Sequence, residues 1–167
     1  MKKLIALFAA IVLVSGFATV NAQVTATATG SAIVITPIAI SKTTDMNFGN
    51  VAVSATAGTV ILTPASTRTK SGGVTLPAAA GTVAAAAFAV TGLSASTYSI
   101  TLPTTYTITS GSNNMIVDTF TSTPSGIGTL SSGAQTVQVG ATLNVAALQA
   151  AGTYTNATGF NVTVNYN

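Results

Sequence analysis

Apolar residues in this chain recur on every second position, in short runs that a glycine, proline or polar cluster soon interrupts. The stretch "GFNVTVNYN" (159–167) places Phe160, Val162, Val164 and Tyr166 in strict alternation, and "STYSITLP" (96–103) does the same with Tyr98, Ile100 and Leu102. A period of two belongs to a β-strand with one buried face, whereas a helix would repeat near every 3.6 residues. Strands of this kind are stable only when a second layer covers their apolar side. The pattern therefore commits the chain to layered β-structure.

The rest of the sequence keeps to that rule. The segments 32–41, 46–53, 58–64 and 81–92 read as strands, the last despite its four alanines, because Val83, Phe88 and Val90 accompany them. "TRTKSGG" (67–73) reads as an exposed loop. Residues 105–120 read as a hairpin around "SGSNN", 121–135 as a Gly, Ser and Pro-rich loop, and 136–145 as two short strands. "AALQAAG" (146–152) reads as one helical turn closed by Gly152. About nine or ten short strands, with no long helix and no fixed repeat, predict a single all-β sandwich or barrel.

Residues 1–22 stand apart. A basic "MKK", an eleven-residue apolar run and small residues up to Ala22 form the layout of a cleaved signal peptide. Ser15, Gly16 and Thr19 interrupt the apolar run before the ~20 residues of a membrane span, and no later segment approaches that length. The expectation is a secreted protein, extracellular or on the outer cell surface, without a membrane span in the mature chain. Its 145 remaining residues are the size of one domain and bury roughly 68% of their unfolded surface.

Those 145 residues carry only Lys42, Arg68, Lys70, Asp45 and Asp118 as charges. Three scattered cations cannot neutralise a run of phosphates, so nucleic acid is set aside as a partner. With 48% hydrophobic residues, the low charge does not signal disorder. It suits a chain packed against copies of itself, because near-neutral molecules meet little electrostatic opposition. No cysteine is present, so core and sheets alone must hold the domain together.

Catalytic chemistry lacks its usual groups. The chain has no His, Cys or Glu, and its two Asp residues lie 73 positions apart. No Ser has an imidazole base, no "GxSxG" turn occurs, and neither Lys42 nor Lys70 stands in an "SxxK" spacing. A paired-carboxylate glycosidase would need Asp45 and Asp118 together. Thiolate and imidazole metal sites are impossible, and the remaining option, calcium on Asp45, Asp118 and carbonyls, lacks any "DxDxDG" run. The expectation is a non-enzyme with no cofactor and no metal. "NAT" (156–158) and "NVT" (161–163) match the glycosylation pattern as chance occurrences in a chain rich in Asn and Thr.

An open strand edge is normally blunted by charge, proline or a bulge. The final strand has no charge and no proline, which makes Phe160, Val162, Val164 and Tyr166 a candidate acceptor strand for an extended segment of another molecule. The candidate donor is the segment 23–31, with Val24, Ala26 and Ala28 on one face and Gly30 where backbones approach closely. A bulkier donor set would use Ile33 and Ile35, with the sandwich domain spanning 32–167.

The blocks "MNFGNV" (46–51), "FAVTGLSASTYSITLP" (88–103) and "VGATLNVAALQAAGTYTNATGFNVTVNYN" (139–167) resemble a bacterial family of secreted β-sandwich proteins, domain of unknown function 4402. That family is distantly similar to spore-coat and chaperone–usher pilin subunits, which share a penultimate Tyr, here Tyr166, and an early aromatic–glycine turn, here Phe48–Gly49. The resemblance implies an Ig-like, pilin-like antiparallel β-sandwich of short strands. It implies a fimbrium-like structural subunit whose partners are copies of itself, a periplasmic chaperone and an outer-membrane assembly protein. The alternative function is a monomeric surface adhesin or glycan-binding module, with Tyr106 near Asn113 and Asn114, and Tyr154 near Asn156, as candidate sugar contacts.

Overall fold

A computed structural model describes residues 22–167. The expected signal peptide lies outside the described residues apart from Ala22. The chain divides into two units, one running through Val34 and the other from Ile35 to Asn167. In the first, residues 22–34 form neither helix nor strand, although the alternation at 23–32 has strand period. Val24, Ala26 and Ala28 offer little apolar area, and a strand exists only when paired.

The second unit contains ten strands and no helix. They are β1 (Ala39–Thr44), β2 (Gly58–Leu62), β3 (Arg68–Gly72), β4 (Ala86–Thr91), β5 (Thr97–Thr101), β6 (Thr105–Ser110), β7 (Asn113–Thr123), β8 (Ile127–Thr129), β9 (Ala134–Val145) and β10 (Thr163–Tyr166). Every pairing between them is antiparallel. Seven strands make one sheet, and β10–β5–β8 make a second. The two pack as a β-sandwich, as the periodicity requires.

The long strand β9 organises the larger sheet. Along one edge it pairs first with β4, over Ala134–Val139, and then with β2, over Ala141–Val145. Its other edge pairs with β7, which β6 extends. Strict alternation turns Val137, Val139, Ala141, Leu143 and Val145 inward, all buried. Thr136, Gln138, Thr142 and Asn144 face outward.

Two apolar clusters result. Phe88, Val90, Tyr98, Ile100, Leu130, Val137, Val139 and Val164 pack between the two sheets. Phe48, Val60, Leu62, Val74, Val117, Leu143 and Val145 form the other, beneath the segments 46–51 and 74–83. Met46 and Phe120 touch both clusters.

Several expectations are corrected. Residues 67–73 are not a loop: Arg68–Gly72 pair with all of β2, and an edge strand tolerates polar residues on both faces. Residues 136–145 are one continuous strand rather than two, since Gly140 lies within the strand without ending it. Residues 121–135 contain the end of β7 and all of β8. The helical turn at 146–152 is instead a β-turn, with the Gln149 amide donating to the Ala146 carbonyl and Leu148 at φ 53°. The strand at 32–41 begins only at Ala39, after Pro37, and 46–53 contributes only the isolated bridges Asn47–Ala84 and Ala52–Thr75.

A Cβ at Gly140 would collide with the Leu62 carbonyl and crowd Thr63 and Pro64, where β2 leaves the sheet. Gly140→Val is expected to cost about 2–4 kcal/mol of stability, read as a lowered midpoint in urea unfolding.

Candidate functional site

The smaller sheet is too short to cover the whole inner face of the larger one. Beyond Val139 that face is roofed by non-strand segments, and between two of them a groove of about 1090 Å³ opens. One rim runs along Lys42–Val51 and the other along Gly152–Phe160; Phe88, Tyr106, Ile108, Met115, Val117 and Leu143 line the floor.

The first rim is held by polar struts. Gly49 adopts φ 66°, and a Cβ there would collide with the Ala80 carbonyl. The Asn47 side-chain oxygen accepts the Gly49 amide at 2.8 Å, closing an Asx-turn. Arg68 on β3 donates one guanidinium nitrogen to the carbonyls of Phe48 and Asn50. Asn50 in turn donates its amide to Ala79 and its backbone N–H to Ala80. The "NFGN" turn thus serves as a fixed brace, with Phe48 buried beneath it. At the end of the rim Lys42 and Asp45 pair at 2.5 Å, both largely exposed, so the pair adds little stability and leaves the groove without net charge.

The second rim is tied to the edge of β6. Thr155 exchanges both backbone bonds with Thr109 at 2.9 Å. The Tyr106 hydroxyl donates to the Asn156 carbonyl at 2.9 Å, and the Asn156 amide donates to Thr107 at 2.8 Å. Tyr154 donates its hydroxyl to the Ala150 carbonyl and accepts from Gln149. The two tyrosines considered as sugar contacts therefore have their hydroxyls engaged within the chain. Nor does Tyr106 stand beside Asn113 and Asn114, for it faces Val117 at the opposite end of its hairpin.

Phe160 closes the groove at its junction with β10. Its ring meets Phe88 and Tyr106 edge-on, at centroid distances of 6.2 and 5.5 Å, and lies tilted against Phe120 at 5.1 Å. Val164 is buried, and Phe160, Val162 and Tyr166 are half-buried against the inter-sheet cluster, so all four alternating residues face inward. The strand itself starts at Thr163, leaving Phe160 and Val162 in the approach to it.

β10 pairs with β5 alone. The Asn167 amide bonds to the Thr97 carbonyl, so odd-numbered residues direct their backbone groups toward β5. By alternation, the N–H and C=O groups of Val164 and Tyr166 point the other way, where β1 approaches β10 but no strand pairs with it among the described residues. The Tyr166 hydroxyl accepts from Leu93 N–H at 2.6 Å and donates to the Thr36 carbonyl at 2.9 Å. A side chain at Gly92 would collide with that hydroxyl. Of the candidate donor residues, Val24, Ala26, Ala28, Gly30 and Ile33 belong to the unit ending at Val34, and Ile35 begins the other.

Sequence reasoning missed Arg68, which sits in a polar stretch with no apolar period to reveal a strand. It also missed Gln135, whose side-chain oxygen accepts both the Tyr98 hydroxyl at 2.7 Å and the Thr129 amide at 2.9 Å. Asp45 and Asp118 do not form a pair. Asp45 stands on the groove rim, whereas Asp118 faces outward on β7 and accepts from Asn144. Among the described residues no cluster of three potential metal-ligating side chains occurs, and no helix is long and apolar enough to cross a membrane.

Residues 38–166 match the family described as Domain of unknown function (DUF4402). The chain belongs to that family. Comparison with curated proteins and with solved structures yields no match. The family match begins one residue before β1 and ends with the last residue of β10, so it takes in both sheets and both rims of the groove.

Burial raises the pKa of Tyr106 above its ordinary 10.0, and the nearby Asp45 carboxylate raises it further. Burial alone raises that of Tyr98. Such groups stabilise the fold fully below pH ~10 and cease to do so as pH rises through their folded pKa values. Two of the four tyrosines should therefore ionise late in an ultraviolet titration. Asp45→Asn should move the Tyr106 transition, identified as the one lost in Tyr106→Phe, toward lower pH.

Proposed function

We propose that this chain is a structural subunit of an extracellular or cell-surface fibre, polymerising by β-strand addition between copies. The observation that carries the reading is where the sandwich does and does not protect its edges. β1 has Pro37 before it, Lys42 within it and a bulge between Lys42 and Thr44. β3 bears Arg68 and Lys70. The edge of β6 is bridged by Thr155, and β8 is only three residues long. These are the devices by which natural sheets avoid pairing with strangers. β10 is also short, at four residues, and β1 approaches it, but from Phe160 to Tyr166 there is no charge, no proline and no bulge.

An extended segment laid along that edge gains main-chain hydrogen bonds from Val164 and Tyr166, and it continues over the apolar floor of the groove beyond Phe160. Donor and acceptor are different patches, so the contact repeats from copy to copy and builds a filament. The segment from residue 23 onward is the donor in this reading, released when the signal peptide is removed. A periplasmic chaperone occupying the same edge, and an outer-membrane assembly protein, are the partners this route requires.

Unboiled gel electrophoresis of surface-sheared native material should show a heat-sensitive ladder, and electron microscopy should show filaments. Deleting residues 23–31 should abolish the ladder while the domain still unfolds cooperatively. A single monomer band from native material, with no filaments, would reject the reading.

A further inference from the structure

We propose that the donor segment of a second copy buries its even-numbered face, Val24, Ala26, Ala28, Gly30, Ala32 and Val34, against β10 and the groove. This deepens the strand-addition reading and rests on it.

In an unbroken strand successive side chains point to opposite faces, so the two candidate sets cannot both be buried. Ile33 and Ile35 share a face with Thr25, Thr27, Thr29 and Ser31. The even face is small and wholly apolar, and the odd face carries hydroxyls over most of its length. The acceptor sheet has the same division: Tyr98, Ile100 and Val164 point in, whereas Thr97, Thr101, Thr163 and Asn165 are exposed on its outer side. A strand added with its even face inward continues both surfaces, and its threonines meet Thr163 and Asn165 as cross-strand neighbours. The opposite register would turn four hydroxyls toward the apolar floor, where the Phe88 and Phe160 rings offer them no hydrogen-bond partner.

Small donor side chains also fit what the acceptor already supplies. The bulk comes from Phe88 and Tyr106 in the floor and from Phe160 at the closed end, so alanine and valine lie against aromatic rings rather than filling deep holes. Residues 23–41 carry no charged side chain, and the rim cancels Lys42 with Asp45, so along its length the segment meets the groove without charge opposing charge. Eleven extended residues, 24–34, reach roughly 36 Å, longer than the four residues of β10, so the segment runs on over the groove.

The test uses the full chain exported as it is made, with aspartate placed on either face of the segment. Ala26→Asp and Ala28→Asp should reduce heat-sensitive multimers at least tenfold. Thr27→Asp and Ile33→Asp should leave the ladder within about twofold of the original. Thermal unfolding of the boiled-and-refolded monomers should be unchanged in all four, since the substitutions lie outside the unit Ile35–Asn167. Loss of the ladder in Ile33→Asp with retention in Ala28→Asp would overturn the register, as would loss in all four or in none. Absence of multimers from the unsubstituted chain would instead overturn strand addition itself.

Discussion

Everything in this sandwich hangs on one twelve-residue strand, β9, that is paired along both edges. β4 and β2 share one of those edges end to end, with Gly140 at the point where one gives way to the other. The inward row from Val137 to Val145 therefore belongs to both apolar clusters at once. A defect at Gly140 would part the two halves of the larger sheet, because the Leu62 carbonyl passes where a Cβ would stand. The absence of disulfides makes this dependence on one ladder stronger.

The length of β9 creates a mismatch that shapes the rest. A three-stranded sheet of short strands covers only the half of the inner face near Val137 and Val139. The other half needs a roof made of chain that is not in a sheet, and such chain exposes backbone groups that must find partners. The sequence answers with Arg68, Asn47, Asn50 and Asn156, each bonding a main-chain group of its own or a neighbouring segment. Struts of this kind hold two rims in place without bringing them together. The groove is the space they leave.

Periodicity made the strands with one apolar face legible: β2, β4, β5, β6 and β10 all fall within segments read as strands, and β7 begins in one and runs three residues past it. The inward set Phe160, Val162, Val164 and Tyr166 follows directly from it. β3 was illegible because its residues, Arg-Thr-Lys-Ser-Gly, include no apolar side chain and are held mainly by pairing with β2. β8 was hidden among Gly and Ser, which fit there because Tyr98 crosses over Gly128 and leaves no room for a side chain. The groove could not be read at all, since its rims come from stretches about 110 residues apart and their spacing is set by hydrogen bonds rather than by pattern. Tyr166 illustrates the intermediate case. Its position was evident, but its role in tying Leu93 to Thr36 required the fold.

With so few charges after the first 22 residues, the position of each is informative. Lys42 and Asp45 neutralise one another, Arg68 braces the 48–50 turn, and Asp118 accepts from Asn144. Lys70 stands on the edge strand β3. The outer faces of both sheets are otherwise dominated by threonine, serine and other uncharged residues. Such a molecule has little means of attracting a partner over distance, because long-range steering needs uncompensated charge. Whatever it joins, it must recognise by contact, through backbone hydrogen bonds at an edge and the fit of apolar side chains beneath it. β10, paired on one side only, and the groove beside it bring an edge and an apolar floor together.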